Sequence, residues 1–223
     1  MIMPMKKLLT LCGLLMVCLF VSAQEPCPQV IPALQQWKGG RGKLEMPTEG
    51  NIVIRSTDEV ALASTARILA EDLKEMFGWN YTVKTGKPTK QSIYLSISGP
   101  DETLGEEGYE LTVKNHASIE APTAKGAFWG TRTLLQMLYR QQGQLSKGTA
   151  IDYPLFPSRG FMLDVGRKFF TLDYLKQTIK VLSFYKMTEF QIHLNDTDSL
   201  SFTTMIGTRP MPPSAWRANA SRV

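Results

Sequence analysis

Apolar residues recur at helical spacing in two segments of the chain. The first segment runs from about Thr57 to Phe77, where Ser56 with Glu59 forms a capping box and Gly78 supplies a C-terminal stop. The second runs from the N-cap Thr123 to about Gln141. Its core-facing residues are predicted to be Phe128, Leu134, Leu135, Leu138 and Tyr139. Both stripes are typical of core packing, with a partner-binding face as the alternative.

Four short segments have the character of strands. Asn51 to Arg55 is rich in Ile and Val, and Ser92 to Ser98 alternates strictly between apolar and polar residues. Tyr109 to Val113 and Ala117 to Ala121 are joined by Lys114-Asn115-His116, where we expect Asn115 to take the positive φ of a tight hairpin. The order strand, helix, three strands, helix predicts an α+β domain, a sheet with two helices on one face.

The pattern changes after residues 142–150, which we interpret as a polar link. Gly160 to Val165 is a continuous apolar strand, Thr171 caps a helix from about Leu172 to Tyr185, and Glu189 to Leu194 is a second strand. Strand, crossover helix and strand form the unit of a parallel sheet or an α/β barrel.

The N-terminus has the three parts of a secretory signal peptide. Lys6 and Lys7 precede an apolar run from Leu8 to Phe20, and Val21-Ser22-Ala23 follows it. The run is shorter than the roughly 20 residues of a membrane span. We therefore predict that residues 1–23 are removed, and that the mature chain starts at Gln24 and is secreted or periplasmic without a membrane span.

Charge and cysteine usage exclude other classes. The formal net charge is +5, but Lys and Arg are scattered among acidic residues, so nucleic acid is not an expected partner. Only Cys27 lies beyond the signal, and one cysteine forms neither an internal disulfide nor a zinc site. We expect no metal and no cofactor.

Five charged or titratable residues lie near the ends of the two later strands. They are Arg159, Asp164, Arg167, His193 and Asp196. In α/β barrels the site is built at the carboxyl ends of the strands, so polar residues after apolar runs are candidates. Arg159, however, stands at the start of its strand. The alternatives are that Asp164 and Arg167 simply pair with each other, and that His193 is a core histidine.

Four strings of residues, taken in order, are more specific than any single residue. They are Gly105-Glu106-Glu107-Gly108-Tyr109-Glu110-Leu111; Lys125-Gly126-Ala127-Phe128-Trp129-Gly130 with Leu134-Leu135-Gln136; Asp152-Tyr153-Pro154 followed by Phe156 to Arg167; and His193-Leu194-Asn195-Asp196. This ordered set resembles glycoside hydrolase family 20, the β-N-acetylhexosaminidases. The resemblance runs from about Asn51 to Asp196.

The resemblance implies an α+β domain over residues 24–152 and, over residues 153–196, the start of a (β/α)8 TIM barrel. It also implies a retaining exo-glycosidase that acts on glycans with terminal β-linked N-acetylhexosamine, in which the 2-acetamido group of the substrate is the nucleophile. By position, Arg159 matches an arginine that holds sugar hydroxyls, and Asp196 matches an acidic residue of the supporting hydrogen-bond network; both are predicted to bind the substrate. The other three candidates, Asp164, Arg167 and His193, match supporting positions.

The chain departs from the family at several points. Lys168 stands where many relatives have His, and Thr197 where many have Asp or Asn. The family's catalytic Asp-Glu pair belongs several strands downstream, so we expect an incomplete barrel without activity. Residues 197–223 lose periodicity, and restoring one base before the Thr197 codon permits a reading frame in the family's style. A frameshift is therefore our hypothesis, with natural truncation or a gene-model error as alternatives.

Two rival functions stay open at this point. The α+β domain could act alone as a non-catalytic folding or glycan-docking module. An unrelated α/β enzyme could share only the strand, helix and strand pattern, which the ordered strings disfavour.

Overall fold

The computed structural model describes residues 24–99, 101–166 and 168–194. These residues divide into two compact units, one that ends at Tyr153 and one that begins at Pro154. Within the described ranges, no helix is both long enough and apolar enough to cross a membrane. The predicted signal peptide (residues 1–23) and the atypical tail (residues 197–223) lie outside these ranges.

The first unit is a seven-stranded mixed sheet with two helices. Its elements are β1 (Gln36–Glu45), β2 (Glu49–Ile54), α1 (Glu59–Phe77), β3 (Asn80–Thr85), β4 (Ile93–Ile97), β5 (Tyr109–Val113), β6 (Ala117–Ala121), α2 (Ala124–Arg140) and β7 (Gln144–Asp152). The strand order is β1-β7-β5-β6-β4-β2-β3. The pairs β1-β7, β7-β5 and β5-β6 are antiparallel, and the pairs β6-β4, β4-β2 and β2-β3 are parallel.

Both helices cover one face of this sheet. The first helix, α1, packs on β2, β3 and β4, while α2 packs on β4 to β7, and the helices also contact each other. The leucines at 62, 69 and 73 of α1 and at 134, 135 and 138 of α2 are fully buried between the layers. The predicted α+β architecture, with two helices on one face, is confirmed.

Three strands of the sheet were not predicted from the pattern. The segment interpreted as a polar link is part of β7, which lies between β1 and β5 and hydrogen-bonds to both. A strand with a neighbour on each side has its backbone N–H and C=O groups hydrogen-bonded, even when its side chains are polar. The polar composition of this segment therefore led to the wrong prediction of a link. Glycines hid β1, since Gly39, Gly40 and Gly42 interrupt any alternation. The remaining strand, β3, lies at the sheet edge with five of its six side chains exposed, so its burial pattern has no alternation.

The predicted capping box is wrong. Ser56 begins a short 3-10 turn, and α1 starts at Glu59 with Asp58 as its N-cap but without a side-chain capping bond. The Asp58 carboxylate instead accepts hydrogen bonds from Arg55 Nε at 2.7 Å and from the Ile97 backbone N–H at 2.8 Å. The stop at Gly78 is confirmed, since its φ is 72°.

Two smaller expectations also fail. Asn115 is not among the positive-φ residues, because the turn closes instead through a 3.1 Å bond from the Lys114 N–H to the His116 carbonyl. Tyr139 was predicted to face the core, but its side chain is 64% exposed near the end of α2. The N-cap of that helix is confirmed: Thr123 Oγ1 accepts from the N–H groups of Lys125 and Gly126.

The second unit contains a strand, helix and strand. These are β8 (Gly160–Asp164), α3 (Leu172–Phe184) and β9 (Glu189–His193). The two strands pair in parallel from Gly160↔Glu189 to Asp164↔His193, and Thr171 Oγ1 caps α3 by accepting from the Tyr174 N–H. The predicted opening of an α/β barrel is therefore present.

Candidate functional site

Asp164 and His193 lie side by side at the carboxyl edge of the parallel pair. They are register partners and the last residues of their strands, so their backbones are separated by about 4.8 Å and their side chains leave the same face. Both side chains are half-buried. An acidic and an imidazole side chain therefore share the edge at which barrel enzymes build their sites.

The backbone around this pair is held in place. Asp164 Oδ1 accepts a 3.0 Å bond from the Gly166 N–H, which turns the chain as it leaves β8. The Val165 N–H donates to the His193 carbonyl at 3.0 Å, which extends the ladder one step past the strand end. The edge is thus fixed by one hydrogen bond to the Asp164 side chain and one between main-chain groups.

Arg159 lies at the opposite end of the same strand. Its guanidinium donates from Nε to the Lys186 carbonyl at 2.7 Å and from Nη1 to the Phe156 carbonyl at 2.6 Å. Its backbone N–H donates to Thr188 Oγ1, and its carbonyl accepts from the Thr188 N–H, both at 2.9 Å. Arg159 therefore joins the segment that enters β8 to the segment that enters β9.

This placement argues against the sugar-binding role predicted for Arg159, which stays a prediction. Five residues of β8 at about 3.3 Å each put roughly 16 Å between Arg159 and the carboxyl edge. Residues at the amino ends of barrel strands serve stability rather than catalysis. The position of Arg159 before its strand already indicated the amino end. The sugar-binding prediction came instead from the match to the family string.

Two of the five candidates, Arg167 and Asp196, lie outside the described residues. Their predicted roles, and the alternative pairing of Asp164 with Arg167, stay predictions. The described ranges contain no group of three or more His, Cys, Asp or Glu side chains arranged to hold a metal ion.

The strings in the first unit hold the fold together rather than form a site. Gly126 and Gly130 of α2 face β5 and β6: a Cβ at Gly126 would lie 2.2 Å from the Gly108 carbonyl, and one at Gly130 would lie 2.5 Å from Ile119 Cγ2. Lys125 Nζ forms a 2.6 Å ion pair with Glu107. The first two strings therefore contact each other directly, which a reading of each string alone did not reveal.

A buried network joins the third string to the first. Tyr109 Oη donates to Asp152 Oδ2 at 2.6 Å and lies 2.5 Å from Thr133 Oγ1. The Gln35 N–H donates to the other oxygen of Asp152 at 3.3 Å. Desolvation, followed by the Asp152 carboxylate, raises the pKa of Tyr109 well above its ordinary value, so the phenol stays a hydrogen-bond donor. Sequence reasoning missed this network because its members lie on three separate elements.

An α+β layer followed by a parallel strand, helix and strand defines a two-domain protein of the α/β-barrel class. Residues 27–153 match the family model described as glycosyl hydrolase family 20, domain 2, and residues 156–216 match the catalytic domain of the same family. The chain belongs to glycosyl hydrolase family 20. The second match continues past Asp196 to residue 216, into the segment for which we hypothesise a frame change. Sequencing of the gene across codon 197 tests that hypothesis.

Curated relatives agree with this assignment. A beta-hexosaminidase of Porphyromonas gingivalis is 30% identical over 178 residues, which cover 75% of this chain and 22% of the relative. A lacto-N-biosidase of Bifidobacterium bifidum is 31% identical over 138 residues, which cover 61% of this chain and 12% of the relative.

Solved structures of the family are also similar. The β-N-acetylhexosaminidase of Streptomyces coelicolor has a TM-score of 0.65 at 26% identity, over 76% of this chain and 35% of that one. The Streptomyces plicatus enzyme in complex with Thio-NAglucal has a TM-score of 0.67 at 28% identity, over 78% and 36%. The chain therefore spans little more than a third of these structures, and less of the two curated relatives.

Proposed function

We propose that the whole protein is an exo-acting β-N-acetylhexosaminidase that releases terminal N-acetylglucosamine or N-acetylgalactosamine from glycans with retention of configuration. The observation that supports this most strongly is the family membership of both units, in the family's own order. A Streptomyces plicatus β-hexosaminidase that is 27% identical was solved with GlcNAc as its product. The carboxyl edge with Asp164 and His193 is where a barrel would receive the sugar.

The contribution of this chain is the near edge of that site. In the proposed reaction the acetamido oxygen of the substrate attacks the anomeric carbon, and a glutamic acid protonates the leaving oxygen. Asp164 and His193 would support the substrate-facing groups, together with Arg167 and Asp196. The Asp-Glu pair that the family uses for acid catalysis and acetamido orientation is proposed to come from later barrel strands.

A chromogenic assay tests this proposal. The whole protein should hydrolyse 4-nitrophenyl N-acetyl-β-D-glucosaminide and leave the matched β-D-glucoside intact, because the glucoside lacks the acetamido nucleophile. Proton NMR of the reaction should show the β-anomer of the free sugar first. Equal rates on both substrates, or the α-anomer first, would overturn the proposed mechanism.

The 223-residue chain alone should show no turnover in the same assay. General acid catalysis contributes about 10²–10⁴-fold, and acetamido orientation adds to this. Glycan binding by the whole protein without turnover would favour the rival function, a non-catalytic module. That rival is supported by the first unit, which has a complete buried core of its own.

We also propose that the protein is exported. Support comes from the two lysines, apolar run and small residues of positions 1–23. Edman sequencing of the protein purified from its native host should begin at Gln24. A mature protein that retains Met1 would contradict export by signal cleavage.

A further inference from the structure

A cationic pocket opens on the first unit. Its volume is about 420 Å³, and three segments line it: residues 38–41 of β1, residues 113–115 at the turn after β5, and residues 147–149 of β7. Four of its ten lining residues are cationic, namely Lys38, Arg41, Lys114 and Lys147, and none is acidic. The first three are exposed and Lys147 is half-buried.

These four cations are not neutralised by the described part of the protein. None of them lies within 4.0 Å of a carboxylate in the described residues, although other cations of the same unit, such as Arg132 and Lys125, are paired. Like charges gathered in a concave surface repel one another and attract counter-ions. An anion in the pocket would remove this repulsion, so the charge pattern selects a negative ligand.

The main chain forms one wall of the pocket. The pairing of β1 with β7 is interrupted between Gly39 and Lys43, so the backbone of this bulge leaves the ladder. A Cβ at Gly40 would lie 3.1 Å from the Lys147 carbonyl, so glycine allows the two strands to approach closely here. The bulge therefore brings Arg41 and Lys147 to the same cavity, a placement that a regular ladder would not produce.

A row of hydroxyl groups begins at the pocket and crosses the sheet. Successive register partners across the strands form this row. In order from the pocket they are Lys38, Thr149, Thr112, Ser118 and Tyr94. The hydroxyls of Thr149 and Thr112 lie 3.0 Å apart, and Thr112 Oγ1 also donates to Glu110 Oε1 at 2.9 Å, so these two hydroxyls offer acceptor positions to a ligand. Because Leu111 and Val113 are buried under the helices, this row lies on the opposite face of the sheet, where its hydroxyl-bearing residues are half-buried. Hydroxyls donate and accept hydrogen bonds, as sugar hydroxyls do, and Tyr94 adds an aromatic ring.

We propose that this pocket binds an acidic carbohydrate, with a sulfate or carboxylate group of the sugar held by Lys38, Arg41, Lys114 and Lys147 and the adjoining rings lying along the hydroxyl row. The anionic part of the proposal rests on the pocket alone, and the carbohydrate part rests on the proposed function. Such a site would hold a charged glycan on the first unit independently of hydrolysis.

Isothermal titration of the 223-residue chain tests the proposal without any need for turnover. The probes are a sulfated disaccharide, its unsulfated parent and inorganic sulfate. We expect the sulfated sugar to bind at least about tenfold more tightly than either of the others, since it alone makes both charge-assisted and hydroxyl contacts. Equal affinity for sulfate and the sulfated sugar would overturn the carbohydrate part, and no saturable binding would overturn the whole proposal.

Matched variants locate the binding. The double variant Lys114→Gln with Lys147→Gln should weaken binding of the sulfated sugar by about tenfold or more, because it removes two of the four charged contacts to the anionic group. Lys84→Gln with Lys87→Gln, at the other edge of the sheet, removes the same charge and should leave the affinity unchanged. Thermal melts of both variants check folding. Equal losses in the two double variants would mean non-specific attraction and would overturn the site.

His116 offers a spectroscopic reporter beside the pocket. The chain has two histidines, so His193 in the other unit serves as the internal reference. Burial and then the neighbouring Lys114 charge lower the pKa of His116, and the Tyr94 ring packs edge-on against it. A bound anion should raise the pKa of His116 in an NMR titration and leave His193 unmoved. Saturating sulfated sugar with no change at His116 would place the ligand elsewhere.

Discussion

At the scale of single residues, the first unit depends on one buried polar network. Asp152 is the last residue of β7 and is 6% exposed, so its charge requires the hydrogen bonds that Tyr109 and the Gln35 N–H supply. Removal of one partner leaves a buried carboxylate that is only partly satisfied. The network therefore links the segment before β1, β5, α2 and the end of β7.

Substitution of Tyr109 by Phe tests this network. We expect the free energy of unfolding to fall by about 1–3 kcal/mol, since the Asp152 carboxylate loses its phenolic donor while the ring packing stays. Tyr139→Phe is the control, because that side chain is 64% exposed, and it should change stability by less than about 0.5 kcal/mol. Urea denaturation of the two variants measures the difference, and equal losses would contradict a special role for Tyr109.

The titration of His116 predicts a dependence of stability on pH. Its pKa in the folded protein lies below the ordinary value of 6.5, so the unfolded chain takes up the proton first as the pH falls. The contribution of His116 to the free energy of unfolding should therefore be fully present above about pH 7 and be lost as the pH falls below the ordinary pKa of about 6.5. His116→Gln should remove this part of the slope. If the variant showed the same dependence of the free energy of unfolding on pH, that dependence would come from other titratable groups.

At the scale of elements, α2 is held by its cap and by two close approaches to the sheet. Thr123 Oγ1 caps the helix and also donates to the Glu106 carbonyl at 2.6 Å, which ties the helix start to the loop before β5. Gly126 and Gly130 then let the helix lie directly on the strands. These contacts join residues 105–111 to residues 125–130 within the first unit.

Two hydroxyl substitutions separate a real cap from an apparent one. Thr123→Ala should lower the free energy of unfolding by about 1 kcal/mol, as loss of an N-cap does. Ser56→Ala should change it by less than about 0.5 kcal/mol, because Ser56 makes no capping bond to α1. Thermal or urea unfolding distinguishes them. A larger effect at Ser56 would restore the capping box that the sequence predicted.

The elements that could be predicted from the sequence are those with a local signal. The two strands at 109–113 and 117–121 have the predicted bounds, because each alternates and a turn separates them. The strands that were not predicted, β1, β3 and β7, depend on neighbours that are distant in sequence. The same contrast holds in the site. Asp164 and His193 follow from their positions at strand ends, whereas the role of Arg159 required the location of the carbonyls it binds.

At the scale of the whole molecule, the two units differ in how well they bury their apolar residues. The first unit has fully buried leucines and isoleucines in both layers, whereas Phe161 and Met162 of β8 are 42% and 55% exposed in the described structure. Exposed strand residues of this kind are open to aggregation and proteolysis. The first unit should therefore be the stable part of the 223-residue chain.

Limited proteolysis tests this difference. Brief digestion should leave a protected fragment that covers residues 24 to about 153, with early cuts near the exposed Leu155 and Phe156. Mass spectrometry of the fragment gives its ends. Cleavage inside β5, β6 or α2 before cleavage at 154–158 would contradict the division into units.

We propose that one end of the β8 and β9 pair serves the glycan site and that the other end serves stability. The most direct test is kcat/KM for 4-nitrophenyl N-acetyl-β-D-glucosaminide in the whole protein, measured with melting temperatures. Asp164→Asn and His193→Gln should lower kcat/KM by roughly 10²-fold at nearly unchanged melting temperature, because misplacement of supporting groups costs about that much. Arg159→Gln should lower the melting temperature and change kcat/KM by less than about threefold. A loss of kcat/KM confined to Arg159→Gln would contradict the account.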